Sequence, residues 1–238
     1  MSSTPRNVLI VEGAKDRNFL NHVLISHGFS RSPIADHDHF IIGRSGEPDE
    51  LAIEIVVAGG FNKISGKLKT VFRPDDYDGI AIVADMDQIQ DNRWESLRGS
   101  LTRHGFKQLP ARLPTDGLVL AGDGNPSLAI WLMPDNLSAG LLESFACRLV
   151  SPEDRAWLHA TTTVAELPEG TGTFSRERDL EKAQIHTWLA WQDEPGCPLG
   201  TAVAKHYLRT DHGSVALLCD WVVRWLAASG SRRAVVNP

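Results

Sequence analysis

Four short apolar runs, separated by stretches of helical spacing, constrain the fold of this 238-residue chain more than any other feature. Each run has four to six residues, most of them aliphatic, and Gly, Pro or an acidic residue bounds most of the ends. Runs of this length are typical of strands that are buried on both faces of a parallel sheet. The four predicted strands are Val8–Val11, Ile53–Ala58, Ile80–Ala84 and Leu128–Met133.

Helical patterns fill the segments between these runs and dominate after residue 134. An apolar stripe at Phe19–Leu24 predicts one helix, and Asn92–His104 predicts a second. Strands that alternate with helices indicate an α/β fold, a Rossmann-like parallel sheet flanked by helices, which we assign to residues 1–136. Residues 137–238 are predicted to form a mostly helical region packed on this core. Its three predicted helices are Ser138–Val150, Arg178–Gln192 and Ser214–Ala228.

Aromatic residues in the two last helices are spaced to lie on single helical faces. Trp188 and Trp191 form one such pair, and Trp221 and Trp225 form another. Large aromatic side chains in this pattern belong to a hydrophobic core, so we predict that all four are buried. His186 stands among apolar neighbours, and we interpret it as a core or interface histidine rather than a catalyst.

Composition narrows the class of protein. The net charge of -6 argues against a nonspecific histone-like binder of nucleic acid, although it leaves room for a local basic groove. Three cysteines stand far apart without a CxxC pair, so they predict neither a zinc ribbon nor a disulfide framework. The apolar run before Glu12 has only four residues, which is too short for a signal sequence or a membrane span. We therefore expect a reduced, cytoplasmic protein with no membrane partner.

Three carboxylates follow predicted strands directly. Glu12 comes after the first strand, and Asp85 and Asp87 come after the third with one residue between them. In extended chain alternate side chains point the same way, so this pair can aim at one spot. If the first and third strands are neighbours, Glu12 reaches that spot too. Converging carboxylates repel each other unless a cation, shared protons or hydrogen bonds relieve them, and an all-oxygen set selects Mg²⁺ or Mn²⁺.

The charges around this pair are unevenly distributed. From Pro74 to Asn92 there are six aspartates and neither Lys nor Arg, and basic residues flank that stretch on both sides. An acidic metal pocket with a cationic rim is what phosphodiester chemistry requires, because the rim neutralises flanking phosphates. A solvated helix face remains the alternative interpretation of the rim. The predicted nucleic-acid-binding residues are Lys63, Lys67, Lys69, Arg73 and Arg93.

Several of these motifs together resemble the TOPRIM domain, which topoisomerases, DnaG-type primases, RecR proteins and OLD-family nucleases share. The residues that carry the resemblance are Val8–Gly13 with Asp16, then Gly59–Gly60, then Ala84–Asp87. Further segments resemble a little-characterised prokaryotic TOPRIM family related to OLD-type nucleases, so the resemblance spans nearly the whole chain. Those segments are Ile130–Asn136, Gly140–Glu143 and Lys182–Gln192.

The resemblance implies roles for individual residues. Glu12 would act as a general acid or base, and Asp85 and Asp87 would ligate a metal together with Glu12. OLD-type nucleases add an acidic residue and a lysine, for which Glu143 and Lys182 are the matching candidates. These nucleases fuse or pair with ABC-type ATPases. The chain has no Gly-x-x-x-x-Gly-Lys loop, so a separate ATPase partner and a role in phage defence are implied by resemblance alone.

Together these features predict a Mg²⁺- or Mn²⁺-dependent phosphodiesterase that acts on DNA or RNA. A second hypothesis is a noncatalytic module that binds nucleic acid or a partner, as RecR proteins do. A third is a small-molecule phosphatase of the haloacid-dehalogenase type, which also places Asp-x-Asp after a strand. The sequence leaves a homodimer open as well as a monomer.

Overall fold

The computed structural model describes residues 6–32, 40–44, 52–71, 77–88, 92–122 and 125–236, with side chains as far as residue 230. Within these ranges the chain forms strands and helices in the order β1, α1, β2, β3, β4, α2, β5, α3, β6, β7, α4, α5, α6, α7 and α8. The strands are β1 Asn7–Val11, β2 Phe29–Arg31, β3 Phe40–Arg44, β4 Ile53–Val57, β5 Gly79–Asp85, β6 Leu118–Leu120 and β7 Ser127–Met133. The helices are α1 Ala14–Ile25, α2 Phe61–Val71, α3 Arg93–Arg103, α4 Leu142–Leu149, α5 Arg155–Ala165, α6 Arg176–Leu189, α7 Leu199–Ala204 and α8 Gly213–Val236.

All the strands join one seven-stranded sheet in the order β2-β3-β4-β1-β5-β7-β6. The four central strands, β4, β1, β5 and β7, pair in parallel, and they are the four that the apolar runs predict. The prediction of a parallel sheet flanked by helices is therefore confirmed for the centre of the sheet. The pairs β2/β3, β3/β4 and β6/β7 are antiparallel, and the sequence pattern missed β2, β3 and β6.

Both faces of the sheet are covered by helices. Leu9 and Val11 of β1 belong to one apolar cluster with residues of α1, α4, α6 and α8. Val8 and Ile10 belong to a second cluster with residues of α2 and α3. Because side chains alternate along a strand, β1, β5 and β7 need apolar residues at consecutive positions to fill both clusters, whereas Glu54 interrupts the apolar run of β4. This explains why the sequences of β1, β5 and β7 show continuous apolar runs instead of alternation.

The five helices after β7 make the C-terminal part mostly helical, as predicted. Helix α8 packs against β5, β6 and β7, and α7 packs against α1. The apolar cluster that contains Leu9 also contains Trp221 and Trp225, so residues from both sides of position 136 share it. The division into two domains stays a prediction. Across the described ranges, no helix is both long enough and apolar enough to cross a bilayer.

One of the four tryptophans departs from its predicted place. Trp188, Trp221 and Trp225 are buried as expected. Trp191 is 46% exposed, and its ring stacks on that of His159 with the ring centroids 5.5 Å apart. Helix α6 ends at Leu189, so the helical spacing that links Trp191 to Trp188 no longer applies beyond that residue.

Helix α8 approaches the sheet most closely at Gly79, the first residue of β5. A Cβ atom at this position would collide with Ser229 Oγ and would lie 2.7 Å from Asn7 Oδ1 and 2.8 Å from Trp225 Nε1. Only a residue without a side chain leaves space for α8 here. The hydroxyl groups of Ser229 and Ser127 are 2.5 Å apart and extend this contact to β7.

Candidate functional site

The parallel pairing of β1 and β5 brings two of the predicted site residues to one edge of the sheet. Val11 is paired in register with Val83, so Glu12 and Asp85 follow at neighbouring positions. The backbone N–H of Asp85 donates to Glu12 Oε2 over 3.4 Å. The backbone carbonyl of Glu12 accepts N–H groups from Gly59 and Gly60, both at 2.9 Å, which anchors the β1–α1 connection.

Asp85 is the most electrostatically perturbed of these carboxylates. Its Oδ1 accepts the backbone N–H of Leu142, at the start of α4, over 2.8 Å. Burial comes first among the causes that raise its pKa to about 8, and the nearby carboxylates of Asp16, Glu12 and Glu143 add to it. Four carboxylates therefore share this sheet edge, and without a further cation Asp85 holds its proton at neutral pH.

Asp16 is the site residue that sequence reasoning did not single out, except as part of the TOPRIM-like motif. It lies in the first turn of α1, and its Oδ2 accepts the backbone N–H of Gly13 over 2.9 Å. Burial, reinforced by the charges of Glu12 and Glu143, raises its pKa to about 6 despite that hydrogen bond. An acid three residues after a helix cap is an ordinary capping signal. The sequence therefore gives no sign that Asp16 is also buried near Glu12 and Glu143.

Glu143 contacts the two basic residues that α6 presents to it. Lys182 Nζ and His186 Nε2 lie 3.5 Å and 3.7 Å from Glu143 Oε1. Burial acts against ionisation, but the His186 ring and the Lys182 charge outweigh it and lower the pKa of Glu143 to about 2. His186 was expected in the core or at an interface; the core interpretation is wrong, since its side chain is 39% exposed and faces this carboxylate, and the interface interpretation stays a prediction. Its spacing of four residues from Lys182 puts both on one helix face.

Asp87 lies at the same edge, but not for the predicted reason. Strand β5 ends at Asp85, and Asp87 has a φ of 53°, so the alternation of extended chain stops before it. Two backbone hydrogen bonds with Gly140 hold it instead, at 3.0 Å and 2.9 Å. Its carboxylate forms an ion pair with Arg93. Arg93 was predicted for the nucleic-acid rim, and the structure places it among the acidic residues.

Asp85, Asp87, Arg93 and Lys182 line one cleft of about 640 Å³ between α2, α3, the end of β5 and α6. Both acidic and basic side chains line it. The lining residues are Phe61, Asn62, Asp85, Asp87, Arg93, Ser96, Leu141, Arg178, Asp179 and Lys182.

Of the predicted basic rim, Arg93 lines the cleft, and the three lysines of α2 do not. Helix α2 contributes Phe61 and Asn62 to the cleft, while Lys63 and Lys69 are exposed and Lys67 is half-buried on the same helix. Arg73 lies outside the described residues. A long nucleic acid seated in the cleft would extend over α2, so a phosphate-binding role for its lysines stays a prediction.

The donor atoms at the site suit a hard divalent cation. Glu12, Asp16, Asp85 and Glu143 supply oxygen only, which is the donor type that Mg²⁺ and Mn²⁺ prefer. A cation would also relieve the repulsion that raises the pKa of Asp85. In the part of the chain that the structure describes, no group of three or more His, Cys, Asp or Glu side chains is already arranged as a ligand set.

Comparison with known proteins identifies a family and nothing closer. Residues 6–227 match the model of the family described as "Protein of unknown function (DUF3226)", which is almost the whole chain. No curated protein and no solved structure gives a significant match.

Proposed function

Since the chain belongs to the DUF3226 family, which carries no assigned activity, we propose a function from the site itself: divalent-metal-dependent hydrolysis of phosphodiester bonds in nucleic acid. The observation that carries the proposal is the group of Glu12, Asp16, Asp85 and Glu143 at the edge of the sheet. Burial first, and the charges of neighbouring carboxylates after it, raise the pKa of Asp85 to about 8 and that of Asp16 to about 6. Such a group favours a divalent cation.

The TOPRIM-like fold is part of this proposal. The motif residues Glu12 and Asp85 follow adjacent parallel strands, and Gly59 and Gly60 hold the backbone of Glu12, which supports a TOPRIM-like arrangement. Ligand sites in open α/β sheets lie at the carboxyl ends of the strands, where these residues are found.

Each residue has a proposed part in the reaction. Asp85, Glu12 and Glu143 would hold Mg²⁺ or Mn²⁺, with Asp87 joining them once it leaves Arg93. The bound ion would polarise the scissile phosphate. Glu12, which contacts the backbone N–H of Asp85, would take up or deliver the proton. Lys182 lines the cleft beside Glu143 and would bind a phosphate oxygen.

The partners in this proposal are DNA or RNA, with Lys63, Lys67, Lys69 and Arg73 contacting phosphates that flank the scissile bond. A separate ABC-type ATPase and a role in phage defence follow from the resemblance to OLD-type nucleases. We place the protein in the cytoplasm because its three cysteines predict no disulfide framework and the apolar run before Glu12 is short.

Incubation of purified protein with supercoiled plasmid and with end-labelled RNA, each with Mg²⁺ or Mn²⁺, tests the proposal. We expect metal-dependent cleavage that Asp85→Asn lowers at least about 100-fold, because this residue would ligate the ion. Asp211→Asn is the matched control, since its side chain is 77% exposed and pairs only with Arg209 among the described ion pairs. Absence of cleavage with either metal would refute the nuclease.

One observation favours the noncatalytic alternative. Asp87 is already neutralised by Arg93, so one of the two predicted Asp-x-Asp ligands is occupied without any metal. If this pair is permanent, the protein is a binding module for nucleic acid. Tight binding of a labelled oligonucleotide in EDTA, with no cleavage after metal is added, would select this alternative. Hydrolysis of a chromogenic phosphate monoester in place of nucleic acid would instead select the phosphatase.

A further inference from the structure

Arg93 makes three contacts that together hold it inside the candidate site. Its guanidinium forms an ion pair with Asp87, and its Nη1 lies 3.7 Å from Glu12 Oε2. The same group lies over the ring of Phe61, with Cζ 4.1 Å from the ring centroid. The side chain is only 17% exposed. Arg93 thus neutralises two carboxylates to which the proposed function gives a role at the metal.

The position of Arg93 in its helix is unfavourable by local electrostatics. It is the first residue of α3, where the helix dipole is positive and acidic residues are preferred. Among the residues that the structure describes, the buried Nη1 atom meets no hydrogen-bond acceptor, although a guanidinium can donate five hydrogen bonds. A cation that is disfavoured by its own helix and incompletely hydrogen-bonded is one that an incoming anion can readily engage.

We propose that Arg93 is an internal cation that competes with the metal ion for Asp87 and Glu12, and that a phosphate group of the substrate draws it away. The inference rests on the proposed function and deepens it, because it makes substrate phosphate and metal bind cooperatively. Arg93 lines the cleft together with Lys182 and Ser96, where a phosphate would enter. A guanidinium binds phosphate through two parallel hydrogen bonds, which can replace its contacts with the carboxylates.

The proposal predicts opposite effects of one substitution on metal binding and on turnover. Without Arg93, Asp87 and Glu12 are released from their ion pairs, so the metal-free protein should bind Mn²⁺ more tightly. The same change removes the group that would hold the substrate phosphate, so cleavage should fall. A residue that merely orients Asp87 for the metal would weaken both.

Titration of Mn²⁺ into the full-length protein, followed by electron paramagnetic resonance of the free ion, measures the first effect. We expect Arg93→Ala to lower the Kd for Mn²⁺ about tenfold, the consequence of releasing a half-buried ion pair. Arg98→Ala removes an equal charge from the same helix, where Arg98 pairs with Glu95 at 2.8 Å, and should leave the Kd unchanged. Arg178→Ala removes a charge that lines the cleft and should change the Kd less than Arg93→Ala does.

A second titration tests the cooperativity with sulfate as a mimic of the phosphate group. Sulfate should tighten Mn²⁺ binding to the wild type several-fold relative to sodium chloride of equal ionic strength, and it should have no such effect on Arg93→Ala. Equal Mn²⁺ affinity of wild type and Arg93→Ala, or weaker binding by the variant, would overturn the inference and leave the proposed nuclease intact. If neither protein binds Mn²⁺, the proposed function fails together with the inference.

Discussion

Replacing Asp85 with Asn should make the metal-free protein more stable, even though it removes a residue that we place in the site. The pKa of Asp85 rises from 3.8 to about 8 in the folded chain, so between these values only the folded chain holds the proton. The free energy of unfolding therefore decreases as pH rises through this window, opposite to the usual behaviour of a carboxylate. Asn carries no charge, and its side-chain oxygen can still accept the N–H of Leu142.

The window from pH 6 to pH 8 isolates this effect. The raised pKa of Asp16 is about 6, so most of the pH dependence that Asp16 adds to the free energy of unfolding lies below pH 6. Within the window, each pH unit lowers the wild-type free energy of unfolding by up to about 1.4 kcal/mol relative to Asp85→Asn. The advantage of the variant should therefore grow by about 2 kcal/mol from pH 6 to pH 8, because Asp85 is half ionised at the upper limit.

Urea unfolding in EDTA, monitored by tryptophan fluorescence at several pH values, measures this difference. Because the two proteins differ only at residue 85, the difference between them cancels the contributions of the groups that they share. The exposed Asp211→Asn should give a difference that does not vary with pH. A difference between wild type and Asp85→Asn that stays constant, or that shrinks as pH rises, would refute the assignment of Asp85 as a repelled, desolvated carboxylate.

Three further predictions address the ion, the basic partners of the site and the packing of the sheet. Binding of Mn²⁺ at pH 7 should release about one proton per ion, because Asp85 must ionise; calorimetry in two buffers of different ionisation enthalpy should detect it in the wild type and not in Asp85→Asn. Glu143→Gln should lower the free energy of unfolding at pH 7 by about 1–3 kcal/mol, since Lys182 loses its counterion and the contact with His186 is weakened. The pKa of Glu143 is lowered from 4.5 to about 2, so this loss of stability should be full above pH 4.5 and should shrink as the pH falls towards 2. Urea unfolding at pH 7 and at pH 3 measures the loss. An equal loss at both pH values would contradict the predicted ion pairing. Gly79→Ala should destabilise the protein by about 1–3 kcal/mol, because the added Cβ atom pushes α8 away from β5. Gly66→Ala in α2 should stabilise it by about 0.5–1 kcal/mol, because the added Cβ atom has no other atom within 4 Å. Equal thermal midpoints of the two variants would contradict the packing argument.

The central strands were predictable because their sequence signal is local. A strand buried on both faces needs apolar residues at consecutive positions, and β1, β5 and β7 show this directly, while β4 keeps a recognisable apolar run in spite of Glu54. The strands β2 and β6 have three residues each and lie at the edges of the sheet, so they carry too few buried positions to form a pattern. Their pairing depends on strands that come later in the chain.

The candidate site was predictable only in part. Glu12 and Asp85 follow apolar runs, so their place at the sheet edge follows from strand topology. Asp16 conforms to a helix-capping pattern, and His186 stands among apolar residues, so each has a local explanation that hides its contact with the site. Asp16 comes to the carboxylates through the packing of α1 on the sheet, and His186 comes to Glu143 through the packing of α6 on α4, which no spacing within either helix determines.

The sequence by itself determined the α/β class, the parallel centre of the sheet and the two acidic side chains at its edge, because burial on both faces is a demand that each strand meets with its own residues. Only the tertiary structure decided that α6 supplies Lys182 and His186 to Glu143, and that Arg93 lies between Asp87 and Glu12. Ion pairs of this kind join residues that are distant in the chain, and their formation depends on how helices are oriented against the sheet. The charges are present in the sequence, but their distances, and therefore their energies, are created by folding.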